Sequence, residues 1–237
     1  MKRMRRDSPG FTLIELLIVL AIAILLLSIA ITSLSRARLA SNESQAVAAL
    51  RNVAVLQTAW RQNDADGNGQ ADFWTQDWSG LHRVANKDGA PWAFISAELA
   101  KADGAPALGT TGTARPLVTA PLVTGVAVPH AGYFYRAMTS DNSNPPMPYQ
   151  AGGPTNPGKF GFTAWPAEPE ATGHHVFILM ESGAIWARDL EGPGPGGPAP
   201  AGATLMGNSK GGQLAWPGAP GGSALNEPEE SAWKSVQ

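Results

Sequence analysis

The sequence predicts an α+β fold in which one long N-terminal helix packs on a small antiparallel β-sheet. A nearly continuous apolar run extends from Phe11 to Ile31, and an apolar stripe of helical period follows it as far as Asn63. Beyond residue 130, short runs rich in β-branched and aromatic residues alternate with turn sequences, which is typical of strands. A long helix followed by a few strands favours the α+β class.

Composition narrows the class of protein further. The 237 residues include 27 Gly and 20 Pro, and many of the hydrophobic residues lie in the N-terminal run, so the rest forms a modest core with long loops. A net charge of -2 without a long basic block gives no sign of nucleic-acid binding. The absence of cysteine excludes disulfides, thiolate metal sites and cysteine nucleophiles.

The first ten residues form a basic leader that ends at Pro9-Gly10. The apolar run after it is long enough to span a hydrocarbon core of roughly 30 Å at about 1.5 Å per helical residue. It is longer than the apolar stretch of an ordinary secretory signal, and no clean small-residue cleavage site follows it. We therefore expect a retained membrane-spanning helix with the leader on the cytoplasmic side.

One acidic residue, Glu15, lies inside this apolar run. A carboxylate at that depth costs roughly 2.5 to 3.5 kcal/mol on insertion scales, so it is expected to have a partner and a function. A simple membrane anchor would be more stable without it.

Residues 10–15 read GFTLIE, which resembles the class III signal of type IV prepilins and type II secretion pseudopilins. The resemblance implies that a membrane prepilin peptidase cuts between Gly10 and Phe11 and methylates the new amine of Phe11. It also implies that Glu15 neutralises the Phe11 amine of an adjacent subunit, because isolated charges in an apolar filament are far costlier than a pair. Gly10 and Phe11 are thus the predicted processing residues, and Phe11 and Glu15 the predicted assembly residues.

The same resemblance implies a cellular place and a set of partners. The chain is expected to be a single-pass protein of the bacterial inner membrane, with its head in the periplasm, that later enters a pilus or pseudopilus. Its expected partners are the prepilin peptidase/N-methyltransferase, other pilin subunits in a homo- or hetero-polymer, and the inner membrane itself.

Residues 36–63 contain no Pro or Gly and carry the apolar stripe of the second half of the helix. The stripe recurs at spacings of three, four and seven residues and consists of Ala46, Ala49, Leu50, Val53, Leu56 and Trp60. This half is expected to lie on the sheet of the head, because its larger apolar side chains would otherwise be exposed to water.

An acidic loop follows the predicted helix. Oxygen-bearing side chains stand at alternate positions, as Asp64, Asp66, Asn68, Gln70 and Asp72. With Gly69 at the turn, this spacing is close to the first nine positions of an EF-hand calcium loop, although Thr75 stands where the closing Glu should be. Two interpretations stay open: a Ca²⁺ loop that pins the end of the helix, or an Asp/Gly/Asn helix stop and turn.

The head contains clustered aromatic residues and three strand-like regions. Trp74 and Trp78 precede a segment from Trp92 to Leu99 that could form a short helix, and such residues either cap a core or form a sugar-binding platform. The predicted strands are Gly132–Thr139, Phe160–Trp165 and a hairpin of His175–Met180 with Ala184–Arg188 through Glu181-Ser182-Gly183. This gives a sheet of about four strands.

The predicted organisation has five segments. They are a leader at 1–10, a transmembrane and assembly helix at 11–35, an amphipathic helix at 36–63, a head at 64–190 and a Pro/Gly-rich, partly disordered tail at 191–237. Within the tail, the acidic end from Glu227 to Gln237 is expected to be loose.

No motif in the head predicts catalysis. His174 and His175 are adjacent on a predicted strand, so they point to opposite faces and cannot easily bind one metal ion. We find no Ser/His/Asp order, phosphate loop or dinucleotide fingerprint. The predicted function is therefore structural and not enzymatic, as a subunit of a type IV pilus or type II secretion pseudopilus with no required cofactor. The alternative is a surface binding module for adhesion or uptake that displays a Trp-rich head.

Overall fold

The computed structural model describes residues 11–85, 88–103, 127–138, 149, 155–189 and 234–236. The chain divides into two compact units, Met1–Arg38 and Leu39–Gln237. A long N-terminal helix precedes a small antiparallel sheet, so the predicted pilin-like α+β class is confirmed. The predicted leader, residues 104–126, most of residues 139–154 and most of the predicted tail lie outside the described residues.

Helix α1 comprises Leu13–Asn63 and ends at the predicted residue. In the first unit its side chains are almost all exposed, and this apolar segment is long enough to span a membrane. In the second unit α1 buries one face against the sheet. The buried residues are Ala46, Val47, Ala49, Leu50, Val53, Gln57 and Trp60, with Leu56 partly buried. The predicted apolar stripe is confirmed, with Val47 and Gln57 added to it.

Gln57 is a polar residue in the middle of this buried stripe. Its Oε1 accepts a hydrogen bond from the Trp74 backbone N–H at 3.0 Å, and its Nε2 donates to the Trp74 carbonyl at 2.8 Å. Because the amide oxygen and the amide nitrogen each have a hydrogen-bond partner, neither polar atom of the buried Gln57 side chain is left without one. The pair ties the start of the head to α1.

In the part of the chain that the structure describes, two antiparallel sheets follow α1. Strands β1 (Phe73–Trp74) and β3 (Thr155–Asn156) form a two-stranded sheet. The main sheet has the order β2-β4-β5-β6-β7, with β2 at Tyr133–Ala137, β4 at Gly161–Pro166, β5 at His175–Met180, β6 at Ile185–Asp189 and β7 at Lys234–Val236. Between β1 and β2, the described residues form two short helices, α2 (Gly80–Arg83) and α3 (Ala97–Ala100).

All of the predicted strands are present, and the β5–β6 hairpin turns at Gly183, whose φ is +78°. Two predictions are corrected. Residues 234–236, expected to be loose, form β7, because β6 offers them a free edge with Val236 opposite Ile185. The predicted helix from Trp92 to Leu99 is confined to α3, which begins only after Ser96 caps it by accepting from the Leu99 N–H.

Three tryptophans of the described residues build the core between α1 and the sheet. Trp60, Trp74 and Trp78 are fully buried, and the Trp78 ring stacks on Tyr135 with centroids 4.5 Å apart. Trp92 is the exception among this group, since it is 36% exposed and stacks on Phe94. The cluster is therefore core packing of the kind that large aromatic side chains supply.

A buried ion pair fixes the loop around α2. The Arg83 guanidinium contacts the Asp77 carboxylate at 2.6 Å, and both side chains are almost fully buried. Asp77 also accepts from the Gly80 N–H at 2.8 Å and the Ser79 hydroxyl at 3.0 Å. These extra hydrogen bonds offset part of the desolvation of the two charges.

The packing of α1 can be tested with two valines on the same helix. Val53 is fully buried whereas Val55 is 69% exposed. Val53→Ala should lower the free energy of unfolding by about 1 to 3 kcal/mol, because it removes buried apolar surface and leaves a cavity. Val55→Ala, the matched control, should change it by less than about 0.5 kcal/mol.

The measurement is thermal unfolding of the full chain in detergent, followed by tryptophan fluorescence. The first tryptophan is Trp60, so the signal reports only the second unit. Equal shifts for the two variants would contradict the packing.

Candidate functional site

The first candidate site lies at the start of α1, where Thr12 and Glu15 bond to each other. The Glu15 carboxylate oxygen Oε2 accepts from the Thr12 backbone N–H at 2.9 Å and from its hydroxyl at 2.7 Å. The Thr12 hydroxyl in turn accepts from the Glu15 N–H at 3.3 Å. This reciprocal arrangement is a capping box, and it satisfies N–H groups that the first turn of a helix leaves without partners.

The capping box leaves Glu15 able to bind a second partner. In the part of the chain that the structure describes, the hydrogen bonds to the Glu15 carboxylate use Oε2, so Oε1 is open. The predicted assembly residue Phe11 is 82% exposed, and the predicted processing residue Gly10 lies outside the described residues. An open carboxylate oxygen on an apolar surface can pair with a cation from another molecule.

The second candidate site is the acidic loop after α1. Asp64 has a φ of +45°, a left-handed conformation that ends the helix. Its carbonyl accepts from the Gly67 N–H at 2.9 Å, and its Oδ2 accepts from the Gly69 N–H at 3.0 Å. The loop therefore has the geometry of a helix stop.

The centre of this loop holds two buried carboxylates joined by an amide. The Asn68 side-chain nitrogen donates to Asp66 Oδ2 at 2.8 Å and to Asp72 Oδ2 at 2.9 Å. Burial and the charge of Asp72 raise the pKa of Asp66 to about 6. Gln70 is exposed and contacts Asn68 through its backbone N–H at 2.7 Å.

The structure thus gathers four of the five predicted calcium residues, with Gln70 outside the group. Among the described residues, no group of three or more His, Asp or Glu side chains has a spacing that could hold a metal ion as it stands. Calcium binding stays a prediction.

A third cluster, which the sequence did not predict, joins α1 to the sheet. Glu43 on α1 accepts from the backbone N–H of His174 at 2.8 Å and lies 3.0 Å from His175 Nδ1. The other ring nitrogen of His175 lies 3.0 Å from Asp189 Oδ1, while His174 contacts Glu170 instead. The two adjacent histidines therefore have different partners. The periodicity of α1 could not reveal Glu43 as a contact residue, because its partners lie more than 130 residues away.

Comparison with known families identifies the N-terminal site. The prokaryotic N-terminal methylation motif matches residues 5–31. This motif is the prepilin-type signal of type IV pilins and pseudopilins, so the chain is a pilin-like protein and the resemblance of residues 10–15 is confirmed.

A second family covers most of the chain. The family described as "Protein of unknown function (DUF2950)" matches residues 28–200, and the chain belongs to this family. No curated protein and no solved structure matches the chain.

Proposed function

We propose that this chain is a structural subunit of a type IV pilus or type II secretion pseudopilus, and that it assembles through the first part of α1. The observation that carries the proposal is the methylation motif at residues 5–31, which is followed by an exposed apolar helix with one acidic residue. This combination supplies both a processing signal and an assembly surface.

The surface of the first unit supports assembly in an apolar environment. The large hydrophobic residues from Leu13 to Leu34 are each 53% to 77% exposed. Apolar area of this extent is stable only when a membrane or neighbouring helices cover it. A subunit that passes from the inner membrane to a filament meets this requirement in both places.

Glu15 gives the assembly its register. Cleavage before Phe11 creates a new amine, and Glu15 Oε1 is open to receive such a cation from an adjacent subunit. In an apolar filament the pair is much less costly than two separate charges. Thr12 holds the carboxylate in place through Oε2 before the partner arrives.

The alternative, a binding module that displays a Trp-rich head, has less support. Trp74 and Trp78 are core residues, which leaves Trp92 as the partly exposed member of the predicted platform. We therefore propose a structural role for the head and assign it no catalytic residue.

We propose a second role for the acidic loop, as a weak Ca²⁺ site. The Asn68 amide lies between two buried carboxylates, where its N–H groups donate hydrogen bonds to both from the place that a cation would occupy. Asp64 Oδ1 is buried without a hydrogen-bond partner among the described residues. If Asn68 turns its oxygen inward, these side chains form the oxygen-rich site that Ca²⁺ prefers.

The processing signal leads to a prediction about cleavage. In cells with an active prepilin peptidase, mass spectrometry of the membrane-extracted protein should find a chain that begins at Phe11 and carries one methyl group on its amine. Gly10→Leu should block cleavage, because it places a large side chain at the cleavage site. Gly10→Ala is the matched control and should block cleavage less completely. An intact Met1 in the unmodified protein would contradict the assignment.

The charge of Glu15 leads to a prediction about assembly. Glu15→Gln matches the size of the side chain and keeps an oxygen for Thr12, but it removes the charge that pairs with the Phe11 amine. The ratio of filament-associated to membrane-resident subunit should fall on the order of tenfold or more, because loss of one partner of a buried pair costs about 3 to 5 kcal/mol. Membrane insertion and cleavage should continue. A normal ratio would show that the carboxylate has another role.

The proposed calcium site in the acidic loop leads to a prediction about stability. Without a cation, stability should fall as pH rises from about 4 to about 6, because the raised pKa of Asp66 favours its protonated form in the folded state. At about 10 mM Ca²⁺, a site with a Kd of about 0.1 to 1 mM would add about 2 kcal/mol, and more at neutral than at acidic pH.

The measurement is the fluorescence-detected melting temperature of the full chain in calcium and in chelator. Asp66→Asn, which is matched in size, should lose both the calcium response and the pH dependence. If the unmodified chain melts at the same temperature in both solutions, the loop is only a helix stop.

A further inference from the structure

The His175 imidazole bridges two secondary-structure elements that are distant in sequence. Its Nδ1 lies 3.0 Å from Glu43 Oε1 on α1, and its Nε2 lies 3.0 Å from Asp189 Oδ1 on β6. Asp189 is in place because the β5–β6 register sets it directly opposite His175. The ring therefore has a carboxylate at each nitrogen.

This geometry is best satisfied by a proton on both ring nitrogens. A neutral imidazole has one N–H, so it would turn the lone pair of its other nitrogen toward a carboxylate oxygen at 3.0 Å. An imidazolium donates to both carboxylates, and such charge-assisted hydrogen bonds are about twice as strong as neutral ones. The arrangement is thus complete only when His175 is charged.

Backbone N–H groups of β5 and the residue before it also hold Glu43 at the same junction. Besides the ring, its Oε1 accepts from the His174 N–H at 2.8 Å and from the His175 N–H at 3.3 Å. One residue earlier on α1, the Asn42 side chain donates to the Thr172 carbonyl at 2.9 Å. Together these contacts attach the start of β5 to α1.

We propose that His175 is a proton-dependent latch between α1 and the sheet, closed when both ring nitrogens are protonated and weakened when the ring is neutral. The latch holds the head against α1 most firmly in mildly acidic surroundings. A groove of about 610 Å³ between α1 and strands β5 to β7 borders the ring, which is 37% exposed, so protons from solvent reach it.

The charges around the ring favour this behaviour on balance. The charged groups are Glu43 and Arg51 on α1, Asp189 on β6 and Lys234 on β7, and the neutral Tyr133 hydroxyl on β2 donates to the His175 carbonyl. The Glu43 hydrogen bond raises the pKa of His175, with further contributions from the charges of Glu43 and Asp189, while burial and Lys234 oppose the rise. Burial disfavours the Glu43 anion, but the bonds from His175 and the His174 backbone prevail and lower the pKa of Glu43.

The pKa shifts of His175 and Glu43 set the pH range in which the latch is closed. Because the pKa of His175 is raised in the folded state, its contribution is fully present below about pH 6.5 and disappears as the pH rises through the folded-state value. The contribution of Glu43 is present above its ordinary pKa and is lost at lower pH. The latch is strongest between these two limits.

The test uses the full chain in detergent and two matched histidine variants. From about pH 6 to about pH 8.5, the melting temperature of the unmodified chain should fall by about 2 to 4 °C more than that of His175→Gln. His174→Gln removes the neighbouring histidine, whose ion pair with Glu170 is exposed, and should retain the unmodified profile. Asp66 is present in all three chains, so its own titration cancels.

A direct measurement removes any dependence on the stability of the variants. In NMR spectra of chains with isotope-labelled histidine, His175, assigned by its absence from the His175→Gln spectrum, should titrate above the ordinary histidine value of about 6.5. Asp189→Asn should move the His175 titration to lower pH. The proposal is overturned if His175 titrates at or below that ordinary value, or if the unmodified chain and His175→Gln lose stability equally over this pH range.

Discussion

The packing of the second part of α1 on the sheet is the interaction on which the rest of the head depends. The α1 stripe from Ala46 to Trp60 provides one wall of the core between α1 and the sheet, and strands β2, β4, β5 and β6 provide the other. At the end of the stripe, the Trp60 ring contacts the Trp74 ring. The Gln57 amide accepts from the Trp74 backbone N–H and donates to the Trp74 carbonyl. Apolar burial supplies the attraction and the Gln57 hydrogen bonds fix the register.

Local patterns predicted the parts of the fold that local physics determines. The end of α1 at Asn63 follows from Asp64 and the glycines after it, and the β5–β6 hairpin follows from two β-rich runs around Gly183. The positions of the apolar stripe follow from helical period alone. These features depend on neighbours within about ten residues, which is why one sequence was enough.

The remaining features depend on contacts between distant segments. Strand β7 forms because the edge of β6 accepts Lys234–Val236, and nothing in those three residues alone predicts a strand. The same holds for the Asp77 contact with Arg83 and the Glu43 contact with His175, since a charged residue in sequence gives no sign of its partner. The aromatic cluster was ambiguous for a related reason: composition does not distinguish a buried Trp from an exposed one, and only packing showed that Trp74 and Trp78 belong to the core.

The two ends of the buried part of α1 carry charge clusters that respond to protons in the same direction but in different pH ranges. At one end the Asp66 carboxyl, with a pKa near 6, loses its proton first, and at the other the His175 ring, with its raised pKa, loses its proton later. Each loss leaves uncompensated negative charge beside α1, so both favour the folded head in mild acid.

The clusters differ in what can replace the proton. A divalent cation in the acidic loop would neutralise Asp66 together with Asp72, whereas a charged His175 ring donates one N–H to each of two separate carboxylates. Calcium would therefore protect one end of α1 from rising pH and leave the other end sensitive to it. A head attached at two points with different chemistry can loosen at one point while the core between them stays packed.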